Sequence, residues 1–309
     1  MGKKLFFLFL LFFVLNIKAE RVLVFPFLQQ NGEIKTLWLE MGIAAAIEES
    51  LSYNNILTVS VDDLENYFRE QNLVSQPKFS LSAQLGLARN LGVTHLLTGN
   101  YKFEQDLLVV ECSFFNLETS VRKIKEVKEI DRIENLRLLS EKIAKCVVEN
   151  FGKSFKNYPE VSPESFESYI RGRISTDNIL KEVYFRKAVE ISPDYYEEKC
   201  LLSNVLEKEN NTTEAIKILE QLKNKNYSKS SLGLRFLGEI KMRQGKFSEA
   251  IELFKLSLKS AENSESHILL ARIYLKQGKK EEALKEIRIA ESFGTHKEEI
   301  EKIYNEINK

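Results

Sequence analysis

Cysteine is scarce in this sequence. The three present, Cys112, Cys146 and Cys200, are too few and too far apart for a zinc site or a disulfide framework. Histidine is equally scarce, and His95, His267 and His296 show neither H-x₃-H nor H-E-x₂-H spacing, so no metal site is legible. Neither charge is in surplus: 45 Lys and Arg stand against 45 Asp and Glu, which removes a general attraction to nucleic acid or to acidic membranes. The phosphate-cradling and nucleophile motifs G-x-G-x-x-G, G-x₄-G-K-[ST] and G-x-S-x-G are all absent. Asp62 and Asp63 are adjacent carboxylates, but helix capping accounts for one and solvent for the other, and His95 in a strand pattern reads as a core or edge residue. The sequence therefore makes no case for an enzyme, a cofactor or a metal.

Apolar residues make up 43% of the 309, enough for two folded units. The one long apolar run, Leu5 to Leu15, follows Lys3 and Lys4 and precedes Ile17-Lys18-Ala19. It is shorter than the ~20 residues a membrane-crossing helix needs. Residues 1–19 are therefore read as a secretory signal peptide cleaved after Ala19, against the alternative of a retained anchor. No cysteine follows the run, so lipid modification is not supported. The expected location is the periplasm or cell envelope, with membrane association left open. In that compartment a Cys112–Cys146 bridge and buried free thiols are both open readings.

Arg21 to Phe27 predicts a buried strand, and the ladder Leu39, Ile43, Ile47, Leu51 a helix from about Leu37. Ile56 to Val61 predicts a second strand. Ser60-x-x-Asp63 has capping-box spacing, with the carboxylate reaching back, for a helix through Phe68. A third helix covers Ser82 to Asn90 and closes at Gly92. Val93 to Phe103 and Leu107 to Phe115 read as a hairpin turning at Glu104-Gln105-Asp106, and Val121 to Ile130 as an edge strand, although its apolar residues recur every three positions. A helix over Arg132 to Lys153 ends the domain, residues 20–158, at a boundary marked by Pro159 and Pro163.

Beyond Pro163 the chain is helical and self-similar. Gly245 and Gly278 are 33 residues apart, as are Ala250 and Ala283, and Ala215 and Ala250 are 35 apart. These periods bracket the 34 residues of the tetratricopeptide (TPR) unit, whose pattern is L-G-x₂-Y followed by A-x₃-F. Three units fit, over 196–230, 231–263 and 264–295: Leu202-Ser203 with Ala215 and Leu219, Leu237-Gly238 with Ala250 and Phe254, and Leu270-Ala271-x-x-Tyr274 with Ala283 and Ile287. Small residues on the first helix (Ser203, Gly238, Ala271) are expected to face small ones on the second (Ala215, Ala250, Ala283). A degenerate unit over 162–195 carries Tyr169-Ile170-Arg171-Gly172, Tyr184-Phe185-Arg186-Lys187-Ala188 and Ser192-Pro193-Asp194, and residues 296–309 suit a capping helix.

The chain from about Arg21 onward resembles bacterial proteins in which a TolB amino-terminal-like domain precedes tetratricopeptide repeats. The residues that carry the resemblance are Val22-Leu23-Val24-Phe25-Pro26-Phe27, Leu91-Gly92-Val93-Thr94-His95-Leu96-Leu97-Thr98-Gly99, and the junction Ser162-Pro163-Glu164 with Tyr169-Ile170-Arg171-Gly172-Arg173. The resemblance implies an α/β domain with a mixed sheet before an all-α superhelix, an envelope setting, and assembly or sensing work without a known catalytic site.

In such a stack the first helices of successive pairs line a concave groove. By register Asn204, Lys208, Arg235, Glu239, Met242, Arg243, Arg272, Leu275 and Lys276 face it. The expected partner is a protein segment, extended or helical and bearing acidic groups. The leading expectation is a scaffold whose repeats recruit a protein while the α/β domain docks or oligomerises. The alternative is a sensor whose α/β domain binds a small molecule and modulates the groove.

Overall fold

The computed structural model describes residues 20–71, 79–118, 120–193, 196–223, 231–260, 262–293 and 296–308. The expected signal peptide, residues 1–19, and Asp194 of the degenerate unit lie outside them. No helix among the described residues is long and apolar enough to cross a membrane.

The amino-terminal domain runs β1 (Arg21–Val24), β2 (Leu28–Gln29), α1 (Leu39–Tyr53), β3 (Leu57–Thr58), α2 (Val61–Glu70), α3 (Leu81–Asn90), β4 (His95–Glu104), β5 (Leu107–Asn116), β6 (Arg122–Arg132) and α4 (Leu136–Asn150). The strands form one mixed sheet in the order β3-β1-β4-β5-β6, with β2 also on β4. β1 is parallel to β3 and β4, whereas β4, β5 and β6 are antiparallel neighbours. Because side chains alternate along a strand, Val22 and Val24 join one core with α1 and α4, while Leu23 and Phe25 join a second with α2 and α3. A strand buried on both faces needs an unbroken apolar run, which is what Val22 to Phe25 supplies.

Several boundaries differ from the pattern reading for identifiable reasons. β1 stops at Val24 because Pro26 has no N–H to give the ladder, and pairing resumes at Leu28. The second strand shrinks to Leu57–Thr58 because Val61 opens α2, whose Asp63 N–H donates to Ser60 Oγ at 3.0 Å. The three-residue apolar period of β6 comes from a bulge: Phe114 pairs with Lys125 and Phe115 with Lys123, leaving Ile124 as the extra residue. The bulge lets Ile124 and Val127 pack toward the same core, which strict alternation forbids. The remaining face of this edge strand is charged.

The second half is a series of helix pairs: α5 (Pro163–Ile174) with α6 (Asn178–Ile191), α7 (Tyr196–Lys208) with α8 (Thr212–Lys223), α9 (Ser231–Arg243) with α10 (Phe247–Ser260), and α11 (Ser264–Lys276) with α12 (Lys280–Ser292). α13 (Lys297–Ile307) covers the last pair, burying Ile300, Ile303 and Ile307. Gly245 and Gly278 turn the chain at φ of +74° and +73°. The protein is thus an α/β domain with a mixed sheet followed by TPR-like helical repeats.

Two features of this half differ from the sequence expectation. Gly238 does not simply oppose a small residue. A Cβ there would lie 2.6 Å from Cε1 of Phe254, and one at Gly172 would lie 2.5 Å from Cε1 of Phe185. The absent side chain admits an aromatic ring. The first pair is also not a free-standing unit, since one apolar core runs from the sheet through α1, α4, α5, α6 and α7 to Ala215 of α8. Arg173 clamps this junction, bonding Glu49 through Nη1 and Glu48 through Nη2, both at 2.6 Å, while the Tyr169 hydroxyl donates to Glu49 at 2.7 Å.

Candidate functional site

The first helices of the later pairs, α9 and α11, together with α13, border an open basin of about 510 Å³. Met242 of α9 and Arg272, Leu275 and Lys276 of α11 line it, all four named from register, joined by Gly278, Lys280 and Glu306. Two aliphatic side chains form its floor and charges form its rim. Arg272 is ion-paired with Glu299 at 2.9 Å, and the Lys276 ammonium stands 5.7 Å from the centre of the Phe247 ring.

The other register-predicted residues lie elsewhere. Arg235 pairs with Glu239 at 3.1 Å and stacks 4.7 Å from the Phe236 ring. Arg243 pairs with Glu207 at 2.5 Å. Burial raises the Glu239 carboxyl in spite of Arg235, Arg243 and Lys208, all of which favour its charged form. Asn204 is half-buried on α7, and Lys208 is exposed at the end of that helix. The basic character read from sequence is therefore substantially offset. Glu207, Glu299 and Glu306, which register alone did not single out, supply the balancing carboxylates.

The histidines divide into three environments. His95 is buried, stacked on Phe114 and edge-on to Phe151, with Nδ1 at 2.9 Å from Thr94 Oγ1, and burial lowers its pKa. It is a core residue. His267 is gripped at both ring nitrogens, Nδ1 at 2.7 Å from Glu286 and Nε2 at 2.9 Å from Glu262. Burial opposes its charge, but these carboxylates outweigh burial and raise the pKa. His296 converges with Asp63 and Glu265. The thiols of Cys112, Cys146 and Cys200 are free, and burial pushes Cys112 up to about 12, which makes it a poor nucleophile.

The last helices return to the α/β domain, a contact that sequence patterns gave no means of seeing. Arg21, the first residue of β1, donates to the Phe293 carbonyl and places its guanidinium 5.3 Å from the Phe293 ring centre. Lys297 of α13 stands 6.0 Å from the ring centre of Tyr67 on α2. The α/β domain therefore touches both the first and the last repeat helices.

Residues 209–290, from the turn before α8 to near the end of α12, match the family model for anaphase-promoting complex, cyclosome, subunit 3. No curated protein matches the chain. Among solved structures, the LpoB C-terminal domain from Salmonella enterica is 18% identical, with 37% of this chain and 84% of that one covered at a TM-score of 0.31. The corresponding domain from Escherichia coli gives 18%, 37%, 82% and 0.30. A lipoprotein from Neisseria meningitidis gives 15%, 44%, 99% and 0.33. Similarity at this level carries no argument about function. The repeat helices and the family match point to protein interaction rather than catalysis.

Proposed function

We propose that this protein is a non-enzymatic scaffold or adaptor of the bacterial cell envelope, in which the TPR groove recruits a protein partner and a TolB-like α/β domain docks or oligomerises. The observation that carries the reading is the basin between α9, α11 and α13. Met242 and Leu275 supply apolar contact, and Lys276 and Lys280 supply cations for acidic groups of a partner, beside Glu306 and an Arg272 already held by Glu299. The exported location rests on the basic and apolar character of residues 1–19.

A photocrosslinking amino acid at Leu275 or Lys276, compared with one at Lys255, which is exposed on α10, tests this in the native cell. Capture of one envelope protein from the basin positions, absent from the Lys255 control and lost in an Arg272→Glu/Lys276→Glu variant, is the expected result. Identical capture from all three positions would overturn the groove assignment.

A further inference from the structure

Three helices far apart in sequence bring Asp63, Glu265 and His296 to one point. Asp63 lies in the first turn of α2, Glu265 in the first turn of α11, and His296 immediately before α13. Their ligand atoms, two carboxylate oxygens and an imidazole nitrogen, all lie within 4.8 Å of one another. Asp63 Oδ1 is 3.5 Å from His296 Nδ1. Ser264 Oγ approaches His296 Nδ1 and Glu265 Oε2, each at 3.4 Å.

The cluster is more than an acidic patch. Asp63 is only 7% exposed, and its Oδ1 is buried without a hydrogen-bond partner. A buried carboxylate oxygen left without a hydrogen bond is costly, and the second carboxylate beside it adds to the cost, although Ser60, His296 and Arg21 each favour the charged form. Arg21 lies near but donates to the carbonyls of Leu91 and Phe293, so it does not close on Asp63. Arg235 favours the charged form of Glu265 and stands on that side of the cluster. The three ligand atoms lie within 4.8 Å of one another, near enough for a small cation to draw them onto one centre. With ligand bonds of about 2.0–2.1 Å, a tetrahedral ion sets its ligands roughly 3.4 Å apart, close to the Asp63–His296 separation.

We propose that Asp63, Glu265 and His296 form a divalent transition-metal site, of the Zn²⁺ class, that latches the last repeat and the α13 cap onto the α/β domain. The imidazole selects a borderline ion over Mg²⁺ or Ca²⁺, which take oxygen ligands. Three protein ligands leave a fourth position for water. Because the ligands come from α2, α11 and the approach to α13, the ion binds only the closed arrangement and stabilises it. The site is independent of the groove reading, since none of its ligands lines the basin.

The test uses the full chain, stripped with chelator and titrated with ZnCl₂ alone by calorimetry at neutral pH, with Co²⁺ as a spectroscopic probe of tetrahedral N/O coordination. The expected result is one Zn²⁺ per chain, a tetrahedral Co²⁺ spectrum, and slower hydrogen exchange in α2 and the first turn of α11. Affinity should fall at least about ten-fold in each of His296→Gln, Glu265→Gln and Asp63→Asn. If Asp63→Asn perturbs folding by circular dichroism, the other two variants decide. Absence of stoichiometric binding, or binding that all folded variants retain, would overturn the site. Binding without slower exchange in α2 would overturn the latch.

Discussion

The edge of the Phe254 ring occupies the space in which Gly238 would carry a Cβ. Cε1, Cδ1 and Cζ of the ring lie 2.6, 2.9 and 3.1 Å from that position. Phe254 is fully buried and cannot swing away. Alanine is the better helix former by about 1 kcal/mol, yet Gly238→Ala should destabilise the protein, because overpacking a filled core costs about 1–3 kcal/mol. A lower urea midpoint for Gly238→Ala, recovered in part by adding Phe254→Leu, is the expected outcome. A stabilised single variant would show that the pair separates freely.

Arg173 should be the residue on which the domain junction depends. It holds Glu48 and Glu49 with all three side chains largely buried. Arg173→Met leaves two carboxylates without their cation, and breaking a buried pair costs about 3–5 kcal/mol. Restoring neutrality with Glu48→Gln/Glu49→Gln in the same chain should recover much of the loss. A double-mutant cycle by chemical denaturation measures the coupling, and additive losses would argue against a clamp.

Protonation of His267 should stabilise the last pair. Its folded pKa is raised because Glu286 and Glu262 outweigh burial. A raised imidazole contributes stability fully below its ordinary value of about 6.5, and that stability is lost as pH rises through the higher folded value. His267→Gln should remove this dependence and cost about 1–3 kcal/mol at acid to neutral pH, the scale of bonds to charged groups. Thermal melts across pH 5 to pH 9 check the slope.

Glu198 should behave in the opposite way when replaced. Burial pushes its carboxyl up to about 8, although the Ser165 bond opposes the rise. Ser165 Oγ lies 2.9 Å from Glu198 and 3.0 Å from the Ala188 carbonyl. Ser165 Oγ is placed to donate to the Glu198 carboxyl and to the Ala188 carbonyl, but burial outweighs this help to the charged form, so the fold favours the neutral acid up to about pH 8. The stability this provides is complete below the unfolded carboxyl value and is lost as pH rises through about 8. Glu198→Gln keeps a donor without a titrating proton, so it should exceed the parent in stability above pH 8, by on the order of a few kcal/mol. Parallel pH profiles that never cross would contradict this.

Local rules were sufficient wherever a residue's partner lay nearby. The Ser60 cap, the Gln105-Asp106 turn with Gln105 at φ +56°, the turn glycines Gly245 and Gly278, and the helix pairs all rest on contacts within a few dozen residues. Helical register alone was enough to put Met242 on the face of α9, and Arg272, Leu275 and Lys276 on the face of α11, that border the basin. Asp63 shows where such reasoning stops. Its amide bonds to Ser60 and its carboxyl also gains a Ser60 hydrogen bond, yet the same carboxyl meets His296 and Glu265, which no local pattern reveals. The Ile124 bulge was likewise hidden, because a register shift depends on the partner strand.

By itself the sequence determined the two kinds of architecture, since hydrophobic period, turn glycines and capping residues act over short stretches and dictate which elements form. Only the tertiary structure decided what the charged residues do. It paired Arg243 with Glu207 and Arg272 with Glu299, buried Arg173 against Glu48 and Glu49, and brought α2 to the last repeat. Electrostatic energy depends on distance and burial in space, and neither is written in the spacing of residues along the chain.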